Sequence, residues 1–109
     1  MTPGPQSNLS IPGPIDGHRL SIMDTPVKIY DLSEDGCFVH VLYEAVPGTR
    51  LKLRIELPDD RPIEVNAEAL HNTPHFGFAA GFREMSDTDR AALTGAVNRL
   101  GQSAARMVG

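Results

Sequence analysis

"LKLRIELPDDRPIEVNAEAL", residues 51–70, alternates apolar and polar residues on both sides of a turn. In an extended chain successive side chains point to opposite faces, so Leu51, Leu53, Ile55 and Leu57 share one face. Arg50, Lys52, Arg54 and Glu56 share the other. Ile63, Val65, Ala67 and Ala69 repeat the pattern after Pro58-Asp59-Asp60-Arg61-Pro62, a run of turn-forming residues. A helix would need apolar residues three and four apart. Period two therefore predicts two strands joined as a hairpin, one face in a core and one in water.

The same period extends in both directions. "VKIYDL" (27–32) and "CFVHVLY" (37–43) read as two more strands, and "FGFAAGF" (76–82) as another. Gly77, Ala79 and Gly81 leave one face of that strand almost bare. Residues 19–23 are expected to add a short edge strand. Five or six short strands with hairpin connections predict a small antiparallel β-barrel, closed or nearly so. After residue 85 the period changes. Ser86 and Asp89 form a capping box ahead of "RAALTGAVNRL", with Leu93, Ala96, Val97 and Leu100 as the apolar stripe and Ala104 and Met107 as an extension. A helix of about four turns is expected. The strand 37–43 is apolar on both faces: Cys37, Val39, Val41 and Tyr43 on one, Phe38 and Leu42 flanking His40 on the other. The second face needs a cover, either this helix or another chain.

Composition bounds the function. The 109 residues make one domain, and the formal charge of −4 argues against a broad grip on a nucleic-acid polymer. A pI near 5.4 says the same. A single cysteine, Cys37, excludes an internal disulfide and fits a reducing compartment. No apolar run is long enough to span a membrane, and the expected setting is cytoplasmic. Residues 1–17 hold four of the nine prolines and three of the ten glycines. They are expected to form a flexible arm, with the barrel and helix over 18–102 and a frayed end over 103–109.

Catalytic readings find little support. Cys37 and His40 are an odd number of residues apart on a strand and point to opposite faces, so they cannot act together. His71 and His75, with His18 or His40 as a third ligand, lack the tight spacing of a zinc site. Glu64 and Glu68 lie too far apart to share a proton. No phosphate loop, nucleophile elbow or metalloprotease helix is present, and the expectation is a protein that is not an enzyme and holds no metal or cofactor.

One polar stretch exceeds what a hairpin needs. In "YDLSEDGCFV" (30–39), Asp35-Gly36 would suffice for the turn, yet Asp31 and Ser33 precede it. Their side chains can cap turn amides, and Gly36 can supply an unusual φ. Taken with the later Gly/Ala-rich strand and the capped terminal helix, this Asp31-x-Ser33-x-x-Gly36 turn resembles that of the PilZ domain, over roughly residues 15–102. The resemblance implies a six-stranded barrel with a C-terminal helix that acts as a bacterial receptor for cyclic di-GMP. It also implies that Asp31 and Ser33 hydrogen-bond a guanine edge while Gly36 lets the backbone approach. The family's second motif, an Arg-x-x-x-Arg pair upstream of the turn, clamps the phosphates. Here the corresponding stretch is "SNLSIPGPIDG" (7–17), with no arginine. Arg19 is the one basic residue that precedes the turn closely, apart from Lys28 on the strand leading into it.

Two functions follow, from different classes. A degenerate PilZ domain would work as an adaptor in motility, pilus or chemotaxis signalling. Its partner surface would be Phe38, His40 and Leu42 with the Arg50/Lys52/Arg54 strip, and it would be a monomer or weak homodimer. A receptor would use Asp31, Ser33, Gly36 and Arg19 in an altered site, with the arm folded over the ligand. An OB-like or SH3-like barrel is a third reading, and six aromatic residues with no outward row count against its nucleic-acid form.

Overall fold

The computed structural model describes residues 9–21, 24–42 and 45–103, with the backbone alone at Ser103. The expected inward Tyr43, the helix extension through Ala104 and Met107, and the first eight residues of the arm lie outside this set. Among the described residues, eight strands and one helix follow in chain order: β1 (Leu9–Ser10), β2 (Ile15–Leu20), β3 (Thr25–Tyr30), β4 (Gly36–His40), β5 (Arg50–Glu56), β6 (Pro62–Thr73), β7 (Gly77–Glu84), α1 (Asp87–Leu100) and β8 (Gln102–Ser103). Six of the strands close a barrel in the order β2-β3-β4-β7-β6-β5, every pair antiparallel. The mainly-β, six-stranded expectation is therefore correct.

The deciding hairpin folds as its alternation dictates. Leu51 faces Ala67, Leu53 faces Val65 and Ile55 faces Ile63. All six are buried, and Leu53, Ile55, Ala67 and Ile63 lose their whole accessible surface. The interior continues with Ile29, Val39 and Phe78, also fully buried. On the outside, Arg50 lies opposite Glu68 and Arg54 opposite Glu64. The alternation set the inner face, and cross-strand charge pairing set the outer one.

Strands β4 and β7 approach each other closely. Gly36 pairs with Gly81, and a Cβ on Gly36 would lie 2.3 Å from the carbonyl oxygen of Ala80. Gly77, at φ +138°, would place its Cβ 1.9 Å from the carbonyl oxygen of Val39. No side chain fits at either position, which explains Gly36 at the start of β4 and Gly77 at the start of β7.

Two expectations need correction. The edge strand expected at 19–23 is β2, which begins at Ile15 and bonds to both β3 and β5. It is a closing stave of the barrel, and Ile15 and Gly17, assigned to the arm, are buried in it. Pro12 and Pro14 precede the first residue of β2, so their missing N–H groups cost that strand nothing. The helix, in turn, does not cover the outer face of β4. It packs on β6 and β1 through the buried Leu93, Ala96 and Val97, while Leu100 is 36% exposed.

Its anchors explain the placement. The Ser86 hydroxyl accepts from the Asp89 N–H, as the capping box requires. The Asp89 carboxylate then accepts from the Glu64 N–H at 3.1 Å and pairs with Arg61, so the helix starts at the β5–β6 turn. At its far end Gly101 leads into β8, which pairs with β1. Between those two points Thr94 reaches Glu34 just ahead of β4, and the outer face of β4 itself is left uncovered. Phe38 and His40 stay half-exposed, and Leu42, beyond the end of β4, is 90% exposed.

Candidate functional site

The turn between β3 and β4 is built from the inside outward. Leu32 is fully buried and forms a two-bond bridge with Ile11, at 2.8 and 2.9 Å. Asp31 is thereby held at φ +52°, a left-handed conformation that Asp tolerates better than most residues, with its N–H donating to the Pro12 carbonyl at 3.2 Å. Ser33 closes the turn. Its hydroxyl oxygen accepts from the N–H groups of Asp35 and Gly36 at 3.2 Å each, and its own N–H donates to the Gly36 carbonyl at 2.9 Å. The Asp35 carbonyl accepts from the Phe82 N–H, and the Thr94 hydroxyl on α1 donates to Glu34.

Ser33 and Gly36 are therefore occupied in making the turn. Asp31 differs: its carboxylate is exposed and has no hydrogen bond or ion pair with any described residue. It lines a groove of about 510 Å³ together with Tyr30, Phe38, His40, Thr73 and Phe76. Tyr30 and His40 meet edge to face with ring centroids 6.1 Å apart. The His40 Nδ1–H donates to the Phe76 carbonyl at 2.6 Å, which fixes the ring against the groove wall. On its other side Asp31 borders a smooth lane over Gly36, Ala79 and Gly81, edged by Leu70.

The expected cations are elsewhere. Arg19 stands opposite Thr25 and Leu53, at the far end of β2 and β3 from the turn. Thr25 precedes Asp31 by six residues of strand, roughly 20 Å at about 3.3 Å per residue. The register does not bring Arg19 to Asp31 and Ser33. Lys28 pairs with Asp16 across β2 and β3, which raises its pKa and lowers that of the carboxyl through the hydrogen bond and the attraction of opposite charges. The strip on β5 is likewise engaged, with Arg54 on Glu64 at 3.4 Å and Arg50 on Glu68 at 3.7 Å. Lys52 stands opposite Asn66, in a hollow it shares with Glu64 and Glu84. Phe38 and His40 line the groove with Tyr30 and Phe76, and Leu42 is exposed beyond the end of β4.

Sequence reasoning missed two residues. Arg83 reaches over the bare lane: a Cβ on Gly81 would lie 3.0 Å from its guanidinium. Its Nε donates to Glu68 at 3.1 Å, so Glu68 is shared with Arg50. Two-residue spacing from Gly81 would have placed Arg83 on that face. Phe76 alternates with Phe78 in "FGFAAGF", which would turn it inward, yet it precedes β7 and is 58% exposed. Cys37 is buried inside the barrel, and burial pushes its thiol up to about 12, far from nucleophilic character at neutral pH. Among the described residues no three His, Cys, Asp or Glu side chains gather to hold a metal.

The PilZ domain family model matches residues 7–99. The chain belongs to the PilZ domain family. A search of the curated proteins finds no match. PilZ domains are cyclic di-GMP-binding signalling domains, binding and adaptor modules rather than enzymes. The matched stretch includes the Asp31-x-Ser33-x-x-Gly36 turn and the segment packed beside it. That segment is Ile11-Pro12-Gly13-Pro14, with no lysine or arginine from Leu9 to His18. Among the described residues no helix is long and apolar enough to cross a membrane.

Proposed function

We propose that this PilZ domain is a regulatory adaptor in a cyclic di-GMP-linked pathway of motility, pilus or chemotaxis type. It acts by protein–protein contact, and its own binding of cyclic di-GMP is weak or lost. One observation carries the reading: the segment bonded to the turn, Ile11 and Pro12, offers backbone and apolar atoms where a dianionic ligand needs cations. Two lost charge-assisted bonds, at about 1.5–3 kcal/mol each, weaken binding by roughly a hundredfold to ten-thousandfold. Arg19 is too distant to replace them, and Arg83 is already engaged by Glu68. The receptor reading that relied on Arg19 thus loses its cation.

The partner surface is the face around Tyr30, Phe38, His40, Leu42 and Phe76, where aromatic and apolar side chains remain in contact with water. Arg50 and Arg54, with their carboxylates across the strand, contribute little to it. Calorimetric titration with cyclic di-GMP at low and moderate salt tests the proposal. The expected result is no saturable heat, or a weak one. Tight, salt-sensitive binding would overturn the adaptor reading, since screening by salt is the mark of a phosphate held by free cations.

A further inference from the structure

Guanine and arginine offer the same handle to a carboxylate. Each presents two adjacent N–H donors that can bond in parallel to the two carboxylate oxygens. A turn shaped to read a guanine edge is therefore also shaped to read a guanidinium. The two ligands differ in what is attached: the nucleotide brings phosphates, whereas arginine brings a positive charge and an aliphatic stem.

The surroundings of Asp31 distinguish between them. Its carboxylate is exposed and without a partner among the described residues, and Glu34 and Asp35 follow within the same exposed turn. The nearby cations are neutralised, Lys28 by Asp16 and Arg83 by Glu68. This potential repels a phosphate and attracts a guanidinium. The groove beside the carboxylate is walled by Tyr30, Phe38 and Phe76, and aromatic faces attract cations, arginine more than lysine because its planar group also stacks. Its volume, about 510 Å³, falls in the range of small-ligand pockets, roughly 300–1,000 Å³. The receptor is also pre-set. The Asp31 backbone is held by Pro12 and by the buried Leu32, and His40 is held by the Phe76 carbonyl, so little ordering remains for binding to cost. Phe76 is 58% exposed, so its ring also offers apolar area for residues flanking the arginine.

We infer that the groove between Asp31 and the Tyr30/Phe38/Phe76 wall docks an arginine side chain from an apolar segment of a protein partner. The Asp31 carboxylate takes the guanidinium fork, and the aromatic rings take its face and stem. This rests on the adaptor reading and gives the turn motif a task within it.

The test is a titration of the ¹⁵N-labelled full chain followed by NMR. The probes are the peptide acetyl-Ala-Leu-Arg-Leu-Ala-amide, its lysine counterpart, and cyclic di-GMP. The arginine peptide should shift the amides of Tyr30 to Ser33, Phe38 to His40 and Phe76 in a saturable way. The lysine peptide, lacking a parallel donor pair, should bind roughly fivefold more weakly or worse. Asp31→Asn, near-isosteric and tolerant of the left-handed backbone, should lose roughly tenfold or more of the arginine-peptide affinity. Phe76→Ala, at an exposed position outside the strands, provides a second variant and should also weaken binding. Equal affinity for the two peptides, shifts confined to other surfaces, no shifts at all, or indifference to both variants would overturn the inference. Absence of binding by peptide and nucleotide alike overturns it and leaves the adaptor reading standing. Tight binding of cyclic di-GMP overturns the adaptor reading, and the peptide arm still decides the arginine site separately.

Discussion

The two outer faces of this barrel differ in how completely their side chains answer one another. Over β5, β6 and β7 most charges pair within the chain: Arg50 and Arg83 share Glu68, Arg54 meets Glu64, and Arg61 meets Asp89 at the helix start. Over β3 and β4 the residues are left open. Tyr30, Phe38 and Phe76 stand in water around a carboxylate with no partner among the described residues. Both faces cover the same interior, so the difference is one of surface chemistry and not of fold. A face whose polar groups are matched within the chain has little to offer a partner, whereas an unmatched one does.

The comparison fails if the interior is not common to both faces. Phe78, fully buried on β7, sits in that shared core between the two. Phe78→Ala should cost about 3–5 kcal/mol, read as a lowered midpoint in urea unfolding, and should loosen both faces together. Loss of structure on one face alone would mean that the barrel does not unfold as a unit.

A pH-dependent effect comes from Cys37, on the inner side of β4 beneath the open face. Burial raises its thiol from 9.0 to about 12. The folded chain therefore keeps a proton that the unfolded chain has begun to lose above pH 9. The thiol's contribution is intact below that point and is lost as pH rises towards about 12, at up to about 1.4 kcal/mol per pH unit. Unfolding curves across this window should fall more steeply for the native chain than for Cys37→Ala. Parallel curves would mean that water reaches the inner side of β4, and the contrast between a sealed core and an open face would weaken.

The smallest effects on stability sharpen the contrast most directly. Glu68→Gln removes the carboxylate shared by Arg50 and Arg83, both partly exposed. It should cost no more than about 1 kcal/mol while turning a balanced face basic. Phe76→Ser on the open face should change stability by no more than about 0.5 kcal/mol. Thermal unfolding of the two variants side by side checks this, and a large loss from Phe76→Ser would show that its ring supports the fold instead of awaiting a partner.

Legibility from sequence followed the range of the interaction involved. The β5–β6 hairpin was readable because each residue needs only its neighbour's alternation to know its face, and the helix start was readable because Ser86 and Asp89 are three residues apart. The turn motif was half readable. Ser33 caps the turn amides as expected, but the left-handed φ expected of Gly36 falls on Asp31, and Gly36 instead opens β4 where the strands approach closely. That Asp31 keeps its carboxylate free depends on how Leu32 plugs into Ile11, some twenty positions away. Arg19 looked close to the turn along the chain and is far from it because it lies at the β2–β3 connection, opposite Thr25, a full strand length from the β3–β4 turn. Arg83 looked remote and lies beside it, because Gly81 pairs with Gly36.

By itself the sequence determined the strands, their inward faces, the helix and the polar turn, all of which rest on residues a few positions apart. Its Pro-rich start also settled that no guanidinium precedes the turn between Leu9 and His18. The tertiary structure alone decided that β2 closes the barrel, that the helix lies over β6 and leaves the outer face of β4 uncovered, and which charges are matched. Those outcomes depend on pairings between distant segments. Closing a long loop costs nearly the same entropy for several competing pairings, so only the packing of the whole barrel selects among them.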